Sequence, residues 1–250
     1  MRLRSGQRSP GVLDPRESCT VCRGAPIDCA VCRVKELAIC AVLSDEARRE
    51  LAAIGASSRL ETGETLFYEG DSATEVFTLT SGVLKLYKLL QDGRRQITGF
   101  LLPGDFLGLA FADRYICTAE AVTVATVCRF RRPAFLRLVH SHPRLEHDLL
   151  SRATSELAAA QEQMLLLGRK TAAERVASFL LKLETRLGGA DGGRLDLPMT
   201  RTDMADFLGL TIETVSRTLS QFRRRGLIAL SGKSTIFICD RERLAACAGG

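Results

Sequence analysis

The stretch from Thr200 to Arg225 constrains this chain most, because it contains two short helical patterns that meet at Gly209-Leu210. In the second pattern, apolar residues recur at steps of three, four and three, which places them on one buried side of a helix. They are Ile212, Val215, Leu219 and Phe222. Two helices joined by a tight turn predict a helix-turn-helix.

Polar side chains occupy the other side of the second helix. The guanidinium of an arginine can donate two hydrogen bonds to a guanine edge, and a carboxylate can accept one from a base amino group. A hydroxyl can bond to either a donor or an acceptor on a base. Such a face indicates a helix that reads base edges in the major groove. The candidate DNA-binding residues are Glu213, Ser216, Arg217, Ser220 and Arg224, with Thr211 and Thr214 at the beginning of the helix.

The charge distribution favours a polyanionic partner. Of a net charge of +6, an excess of +5 lies in residues 168–235, which hold 12 Lys and Arg against 7 Asp and Glu. By itself, this block could equally be a solvated charged face. Together with the helix-turn-helix pattern it indicates double-stranded DNA.

Residues 60–135 show short β-type runs at 66–68, 76–80, 83–90, 97–102 and 122–130. Even spacing with glycine-containing turns is typical of a β-barrel or roll. A short helix at 45–54, capped by Ser44, precedes these runs. We therefore expect a β-roll sensor domain at residues 45–140.

A long helix follows from Pro143 through Leu167, with no internal glycine or proline. Its apolar residues step by three or four and form a coiled-coil-like seam: Leu145, Leu149, Ala153, Leu157, Ala160, Met164 and Leu167. The simplest cover for such a stripe is the same helix of a second subunit, which predicts a homodimer through residues 141–170. The alternative is that the stripe packs only on its own roll.

The rest of the chain completes the DNA-binding domain at residues 171–250. A capping box at Thr171–Glu174 opens another helix, and residues 188–193 are predicted to be a linker. Two β-type runs around Ser231-Gly232-Lys233 predict a hairpin that forms a wing. The predicted fold class is α+β: an antiparallel β-roll, a long dimerisation helix and a winged helix-turn-helix.

Five of the nine cysteines fall in the N-terminal region, residues 1–44: Cys19, Cys22, Cys29, Cys32 and Cys40. The chain shows no signal-peptide pattern and no run of about 18 apolar residues. We therefore expect a cytoplasmic protein without membrane contact. In that compartment, clustered cysteines predict metal ligands or redox groups and not a disulfide framework.

Several interpretations of these cysteines are open. Zinc could be bound by Cys19, Cys22, Cys29 and Cys32. A thiol-redox enzyme could use either Cys-x-x-Cys pair, although the predicted elements lack the βαβ context that it needs. A regulator without a cofactor could use bare thiols as redox sensors. Cys247 is expected in an irregular tail. His140, His142 and His147 are predicted to be surface or helix-terminal residues, with a metal site as the alternative.

A β-roll, a long helix and a winged helix-turn-helix in this order resemble the CRP/FNR superfamily of bacterial transcription regulators, over residues 45–240. Glu213-x-x-Ser216-Arg217 is similar to the base-reading signature of the FNR branch. Residues 96–100, 164–167 and 173–175 are also similar to that branch. The resemblance implies a regulator and not an enzyme, with RNA polymerase as a partner.

The same resemblance implies roles for three residues. Arg217 would contact a guanine, Glu213 a cytosine or adenine amino group, and Ser216 a thymine. The implied operator is a palindrome of the TTGA-N6-TCAA type, whose half-sites lie about one helical turn apart for a two-fold dimer.

The FNR branch carries a cysteine-ligated iron–sulfur cluster. The spacing of Cys29, Cys32 and Cys40 is similar to that of FNR-type proteins, and alignment of residues 119–130 places Cys128, not Cys117, at the fourth ligand position. The resemblance therefore implies a [4Fe–4S] cluster on four thiolates, whose assembly without oxygen favours the dimer. Cys19, Cys22 and Cys117 are left without a role.

Two departures from the superfamily are visible. Leu109 replaces the glutamate of the cyclic-nucleotide binders, and residues 114–118 lack their Arg-Ser/Thr-Ala run. Because burying a phosphate without partners is unfavourable, we expect no cyclic AMP. Ala160 stands where enterobacterial-type members have an acidic residue, which predicts easier dimerisation of the cluster-free protein.

Overall fold

The computed structural model describes residues 25–29, 31–108, 113–187, 193–232 and 234–249. The chain divides into two compact units, with the boundary between Gly168 and Arg169. The N-terminal unit holds a β-roll with helices, and the C-terminal unit holds a helix-turn-helix with a small sheet. The predicted α+β fold class is confirmed. No helix in the described ranges is long and apolar enough to cross a membrane.

The N-terminal unit contains two antiparallel four-stranded sheets, ordered β1-β8-β3-β6 and β2-β7-β4-β5. Their strands are β1 (Gly55–Leu60), β2 (Thr65–Phe67), β3 (Glu75–Ser81), β4 (Leu84–Leu89), β5 (Arg95–Leu101), β6 (Phe106–Leu107), β7 (Thr118–Ala121) and β8 (Ala125–Arg131). Both sheets contribute to an apolar cluster, the roll core, which includes Phe67, Phe77, Leu79, Leu84, Leu101, Ala119 and Val127.

Three strands of the roll were not predicted: β1, β6 and β7. β1 and β7 have the sequences GASSRL and TAEA, which contain small and polar residues and no β-branched alternation. They are strands because partners on one or both sides supply hydrogen bonds. Strand propensity depends on such partners more than on the residues themselves.

Three helices accompany the roll: α1 (Asp45–Ala53), α2 (Arg132–Ser141) and α3 (Pro143–Arg169). The predicted cap of α1 is confirmed, since the Ser44 hydroxyl accepts from the Ala47 N–H at 3.3 Å. α2 was missed because Pro133 reads as a helix breaker, although proline is tolerated in a first turn. These helices pack around a second cluster, the arm core, which includes Val34, Ile39, Cys40, Leu43, Leu51, Phe130, Phe135, Leu145 and Leu149.

The predicted apolar stripe of α3 has two different environments. Leu145 and Leu149 belong to the arm core, with exposed fractions of 0% and 8%. Leu157 and Met164 are exposed to 60% and 65%. The stripe is therefore not one continuous seam. Its first two members pack on their own roll, as the alternative interpretation had it, and the later members are open within the chain.

The C-terminal unit has the order α4 (Ala172–Arg186), β9 (Arg194–Asp196), α5 (Arg201–Leu208), α6 (Ile212–Arg224), β10 (Ile228–Ser231), β11 (Thr235–Ile238) and α7 (Arg241–Cys247). The capping box of α4 is confirmed. The predicted wing hairpin is also confirmed. It consists of β10 and β11, and β9 adds a third strand to this sheet. The predicted linker falls mostly outside the described residues.

One expectation for this unit was wrong. Cys247 lies in the last turn of α7 and not in an irregular tail. This short helix begins with the Asp240 side chain accepting from the Arg243 N–H, and Arg241 forms a 3.1 Å ion pair with Glu184 of α4. Such tertiary anchors make a seven-residue helix stable where its own propensity would not.

Candidate DNA-reading helix and cysteine site

The turn between α5 and α6 is fixed by caps on both helices. α5 ends at Gly209, which has φ 60° and ψ 42° and donates its N–H to the Ala205 carbonyl. This left-handed conformation favours glycine. The hydroxyl of Thr211 then accepts from the Thr214 N–H at 3.3 Å and starts α6. The direction of α6 is therefore determined by residues next to each other in sequence.

The buried side of α6 consists of Val215, Leu219 and Phe222, none of which is exposed by more than 2%. Thr218 shares this side and satisfies its hydroxyl by donating to the Thr214 carbonyl at 2.8 Å. The prediction was wrong for Ile212, which is 41% exposed. Ile212 is the first residue of α6, where the side chain projects beyond the packed turns.

The predicted base-reading residues all lie on α6 or at its cap. Thr211, Glu213, Ser216, Arg217 and Arg224 are exposed, and Thr214 and Ser220 are half-buried. The pKa of Glu213 is lowered from its ordinary value by hydrogen bonds from its own backbone N–H and from the Thr211 hydroxyl. Glu213 is thus an ionised acceptor at a helix N-terminus, which favours negative charge.

Arg175 of α4 holds the end of α5 in place, a role that the sequence reasoning missed. Its Nη1 donates to the Leu208 carbonyl at 2.9 Å, and its Nε donates to the Lys170 carbonyl, also at 2.9 Å. Carbonyls at a helix C-terminus lack partners within the helix. The sequence placed Arg175 in a motif but carried no signal for this contact.

The N-terminal arm, residues 25–29 and 31–43, carries three of the four predicted cluster ligands. Cys29 and Cys32 are half-buried, and Cys40 is 8% exposed within the arm core. Between Cys32 and Cys40 the chain forms consecutive turns, in which the amides of Leu37 and Ala38 both donate to the Val34 carbonyl at 2.9 Å. A 3-10 helix, Ile39–Val42, follows.

The three arm cysteines are electrostatic neighbours. Burial raises the pKa of Cys40 to about 11, with further increases from Cys32 and Cys29. Burial, followed by Cys32 and Asp28, also raises the pKa of Cys29, whereas Arg48 lowers the pKa of both thiols. The two thiols are therefore protonated at neutral pH, and any metal bound to them would displace protons.

The fourth predicted ligand, Cys128, lies on β8 beside the arm. Cys128 pairs with Ser57 of β1, whose N–H donates to the Ala25 carbonyl of the arm at 3.0 Å. Cys128 and Cys32 both pack against the arm core that contains Cys40. Cys117, in contrast, packs against the roll core. Cys128 and Cys32 thus pack on the same core as Cys40, whereas Cys19 and Cys22 lie outside the described residues.

The donor chemistry of these four residues fits a thiolate-ligated cluster. None of the cysteines that the structure describes is in a disulfide. A [4Fe–4S] cluster takes four cysteine thiolates, and Cys29, Cys32, Cys40 and Cys128 would supply them. Across the described ranges, no group of three or more His, Cys, Asp or Glu is arranged to hold a metal ion.

The other predicted features of the roll have simple surroundings. The ring nitrogens of His140 and His142 lie 2.7 Å and 2.9 Å from the carbonyls of Leu136 and Leu138. Arg114 donates to the Gly70 carbonyl. Leu109, on which the expectation about cyclic AMP rests, lies outside the described residues.

Comparison with known proteins decides the family. Residues 174–247 match the Crp-like helix-turn-helix domain, and residues 57–142 match the cyclic nucleotide-binding domain. The chain is 46% identical over 213 residues to the transcriptional activatory protein AadR of Rhodopseudomonas palustris, an alignment that covers 84% of this chain and 89% of AadR. The chain belongs to the CRP/FNR family of transcription regulators.

Further CRP/FNR relatives agree with this assignment. The chain is 43% identical to the nitrogen fixation regulation protein FixK of Bradyrhizobium diazoefficiens, with 87% of this chain and 94% of FixK covered. The solved structure of FixK2 from Bradyrhizobium japonicum has a TM-score of 0.74 and 39% identity, and covers 78% of this chain and 97% of FixK2. The chain is thus a DNA-binding CRP/FNR-type regulator, and the prediction that it is not an enzyme is confirmed.

Proposed function

We propose that this CRP/FNR-type regulator is an oxygen- or redox-responsive transcription activator, whose [4Fe–4S] cluster is bound by Cys29, Cys32, Cys40 and Cys128. The observation that carries the proposal is that Cys32, Cys40 and Cys128 share one apolar core, with Cys29 as an electrostatic neighbour of Cys32 and Cys40. Relatives at 37–46% identity are named as transcriptional activators or regulators of nitrogen fixation, which supports the activator assignment.

The DNA-reading side of the proposal rests on α6. Arg217 would bind a guanine through its guanidinium fork, Glu213 would accept from a cytosine or adenine amino group, and Ser216 would contact a thymine. The corresponding operator is the TTGA-N6-TCAA palindrome. Arg224, Ser220, Thr211 and Thr214 complete the contact surface on the base edges and the neighbouring phosphates.

The dimer would form through the exposed face of α3. Four large apolar side chains on this helix are exposed by 60–66%: Leu150, Leu157, Met164 and Leu165. Monomeric proteins seldom expose contiguous apolar surface of this kind, and a second copy of α3 covers it by coiled-coil packing. Two recognition helices then stand about one helical turn apart on the DNA.

The residues of the arm would connect the sensor to the dimer. Cys29, Cys32 and Cys40 of the arm and Cys128 of β8 would hold an iron–sulfur cluster, which would supply an oxygen-reactive centre and tie the arm to β8. Because the arm core also contains Leu145 and Leu149 of α3, the position of the arm affects the helix that dimerises. A ligand that favours the dimer-competent arrangement by about 3 kcal/mol shifts the dimer equilibrium more than a hundredfold. The exposed turn at Gln91–Arg94 is the candidate contact with RNA polymerase.

Two cysteine variants test the cluster assignment, because Cys117 and Cys128 are both half-buried thiols of the roll. Cys128→Ser is expected to abolish the broad absorption near 400 nm of anaerobically purified protein and to reduce bound iron and sulfide. Cys117→Ser, the matched control, is expected to keep both. In an anaerobic operator-binding assay, Cys128→Ser should bind as weakly as air-exposed wild type.

Other results would reject the assignment. If the wild-type protein were colourless and contained zinc, the site would be a zinc site and not an iron–sulfur site. Cys19→Ser should then lose the metal. If the protein were colourless and metal-free and its DNA binding responded to thiol oxidants, the remaining interpretation would be a sensor that uses bare thiols. If Cys117→Ser lost its iron and Cys128→Ser kept it, Cys117 would be the fourth ligand in place of Cys128.

A further inference from the structure

Besides the apolar packing in the arm core, a side-chain hydrogen bond joins α3 to the cysteine arm. Arg152 donates from Nη2 to the carbonyl oxygen of Leu37 at 3.1 Å, across 115 residues of sequence. Leu37 lies between Cys32 and Cys40, in the turns that carry these cysteines. The contact therefore joins the segment that presents the thiols to the helix that carries the exposed apolar face.

The guanidinium of Arg152 is held in position for this contact. Its Nε donates to Oδ2 of Asp148 at 2.7 Å, one turn earlier on the same helix. Because the Asp148 carboxylate fixes Nε, the guanidinium is oriented so that Nη2 points to the Leu37 carbonyl. Such a charge-assisted, two-partner arrangement requires the planar arginine head and is not reproduced by lysine.

Leu37 also has a close neighbour on the roll. A Cβ added at Gly104, which has φ +99°, would lie 2.9 Å from the Leu37 Cβ. The turn at Gly104 and the guanidinium of Arg152 thus contact the same arm residue from the roll and from α3. With the Leu37 and Ala38 amides bonded to Val34, the segment has little freedom to move by itself.

We propose that Arg152 is a positioning residue that docks the cysteine arm on α3 and transmits the state of the arm to the dimerising helix; this inference rests on the function proposed above. Leu157 lies five residues further, about 7.5 Å along the helix and about 140° around it. Arg152 therefore contacts the arm on one side of α3 while Leu157 stands on another. Loss of the hydrogen bond to the Leu37 carbonyl removes a polar contact between the arm and the part of α3 that follows the buried Leu149.

The docking claim is tested on cluster-free protein. Arg152→Gln is expected to increase the rate at which a pulse of iodoacetamide modifies Cys40 by about tenfold, the loss of one charge-assisted hydrogen bond. Cys117 in the roll core serves as the internal reference and should react at an unchanged rate. Arg144→Gln is the matched control, because Arg144 is an exposed arginine of the same helix without a hydrogen bond or ion pair among the described residues.

The transmission claim needs cluster-loaded protein as well. We expect that the ratio of dimer association constants with and without cluster, from anaerobic sedimentation, falls about tenfold in Arg152→Gln and less in Arg152→Lys. Unchanged Cys40 modification in Arg152→Gln overturns the docking. Faster Cys40 modification in Arg152→Gln, together with an unchanged ratio of dimer association constants, overturns the transmission claim. Arg152 would then only hold the arm in place. If wild type assembles no cluster, the function proposed above fails, and the iodoacetamide result still decides the docking.

Discussion

The DNA-reading helix and the cysteine site are constructed in opposite ways. All candidate base-reading residues lie within Thr211–Arg224, on one helix whose buried side is completed by its own unit. The candidate cysteine ligands lie in the arm and on β8, almost 90 residues later, and the arm and β8 are held together by strand pairing and by the arm core. The first site depends on local order, whereas the second depends on contacts between distant segments.

This difference predicts how each site responds to change. Substitutions on the surface of α6 should alter DNA binding and little else, because the helix geometry is fixed by its caps and its buried face. Changes around the arm should affect thiol reactivity, cluster assembly and the dimer together. Four substitution experiments examine this contrast, from the largest expected effect to the smallest.

The largest effect is expected from removing a buried ring in either unit. Phe222 of α6 and Phe135 of α2 are both fully buried. Phe222→Ala and Phe135→Ala should each lower the free energy of unfolding by about 3–5 kcal/mol. Hydrogen exchange should locate the loss in the C-terminal unit for the first and around the arm for the second. Faster iodoacetamide modification of Cys40 in Phe222→Ala would contradict the separation of the two sites.

Arg217→Ala should weaken operator binding by about 1–3 kcal/mol for each half-site, and so by roughly 2–6 kcal/mol for a dimer on both. The melting temperature should not change, since Arg217 is exposed and its loss leaves no buried group unpaired. Fluorescence anisotropy at fixed salt, with the palindrome and with a palindrome whose guanines are replaced, measures the effect.

Arg223→Ala is the matched control for Arg217→Ala. Arg223 is exposed in the last turn of the same helix and is not a candidate base-reading residue, so its removal should weaken binding to all DNA sequences alike and reduce the salt dependence. If Arg217→Ala instead weakened binding to all DNA sequences alike, the assignment of a guanine contact to Arg217 would be wrong.

The stability of the cluster-free protein should decrease between about pH 9 and pH 11. Burial raises the pKa of the Cys40 thiol from 9.0 to about 11, so folding favours the protonated thiol. The contribution is complete below the unfolded pKa and is lost as the pH rises through the folded pKa. Urea midpoints under reductant should decline more steeply in this window for wild type than for Cys40→Ala. Equal slopes would show that Cys40 does not titrate there.

The smallest effects are expected from two helix caps, one in each region. Ser44→Ala and Thr211→Ala each remove a hydroxyl that accepts a backbone N–H, and each should cost about 1 kcal/mol of unfolding free energy. Ser44→Ala should also speed the modification of Cys40, since the arm ends at this cap. Thr211→Ala should instead raise the pKa of Glu213, which NMR titration can follow, and leave Cys40 unchanged.

The chain order of the fold could be predicted because its signals are local. The steps of Val215, Leu219 and Phe222, the capping box at Thr171 and the turn at Gly209 are each encoded within a few residues. Ile212 was misjudged because periodicity alone does not show where a packed face ends. β1, β7 and α7 were missed because pairing and packing with distant partners, and not their own residues, stabilise them.

The sequence by itself indicated the family, the candidate DNA-reading helix and the candidate thiol ligands, because side-chain chemistry and short-range periodicity are properties of the chain. Only the tertiary structure shows that Cys128 packs against the arm core, with Cys32 and Cys40, while Cys117 packs against the roll core. The same holds for the division of the α3 stripe and for the contact of Arg152 with Leu37. These outcomes depend on which distant surfaces pack together, since burial and hydrogen bonding are properties of the assembled fold.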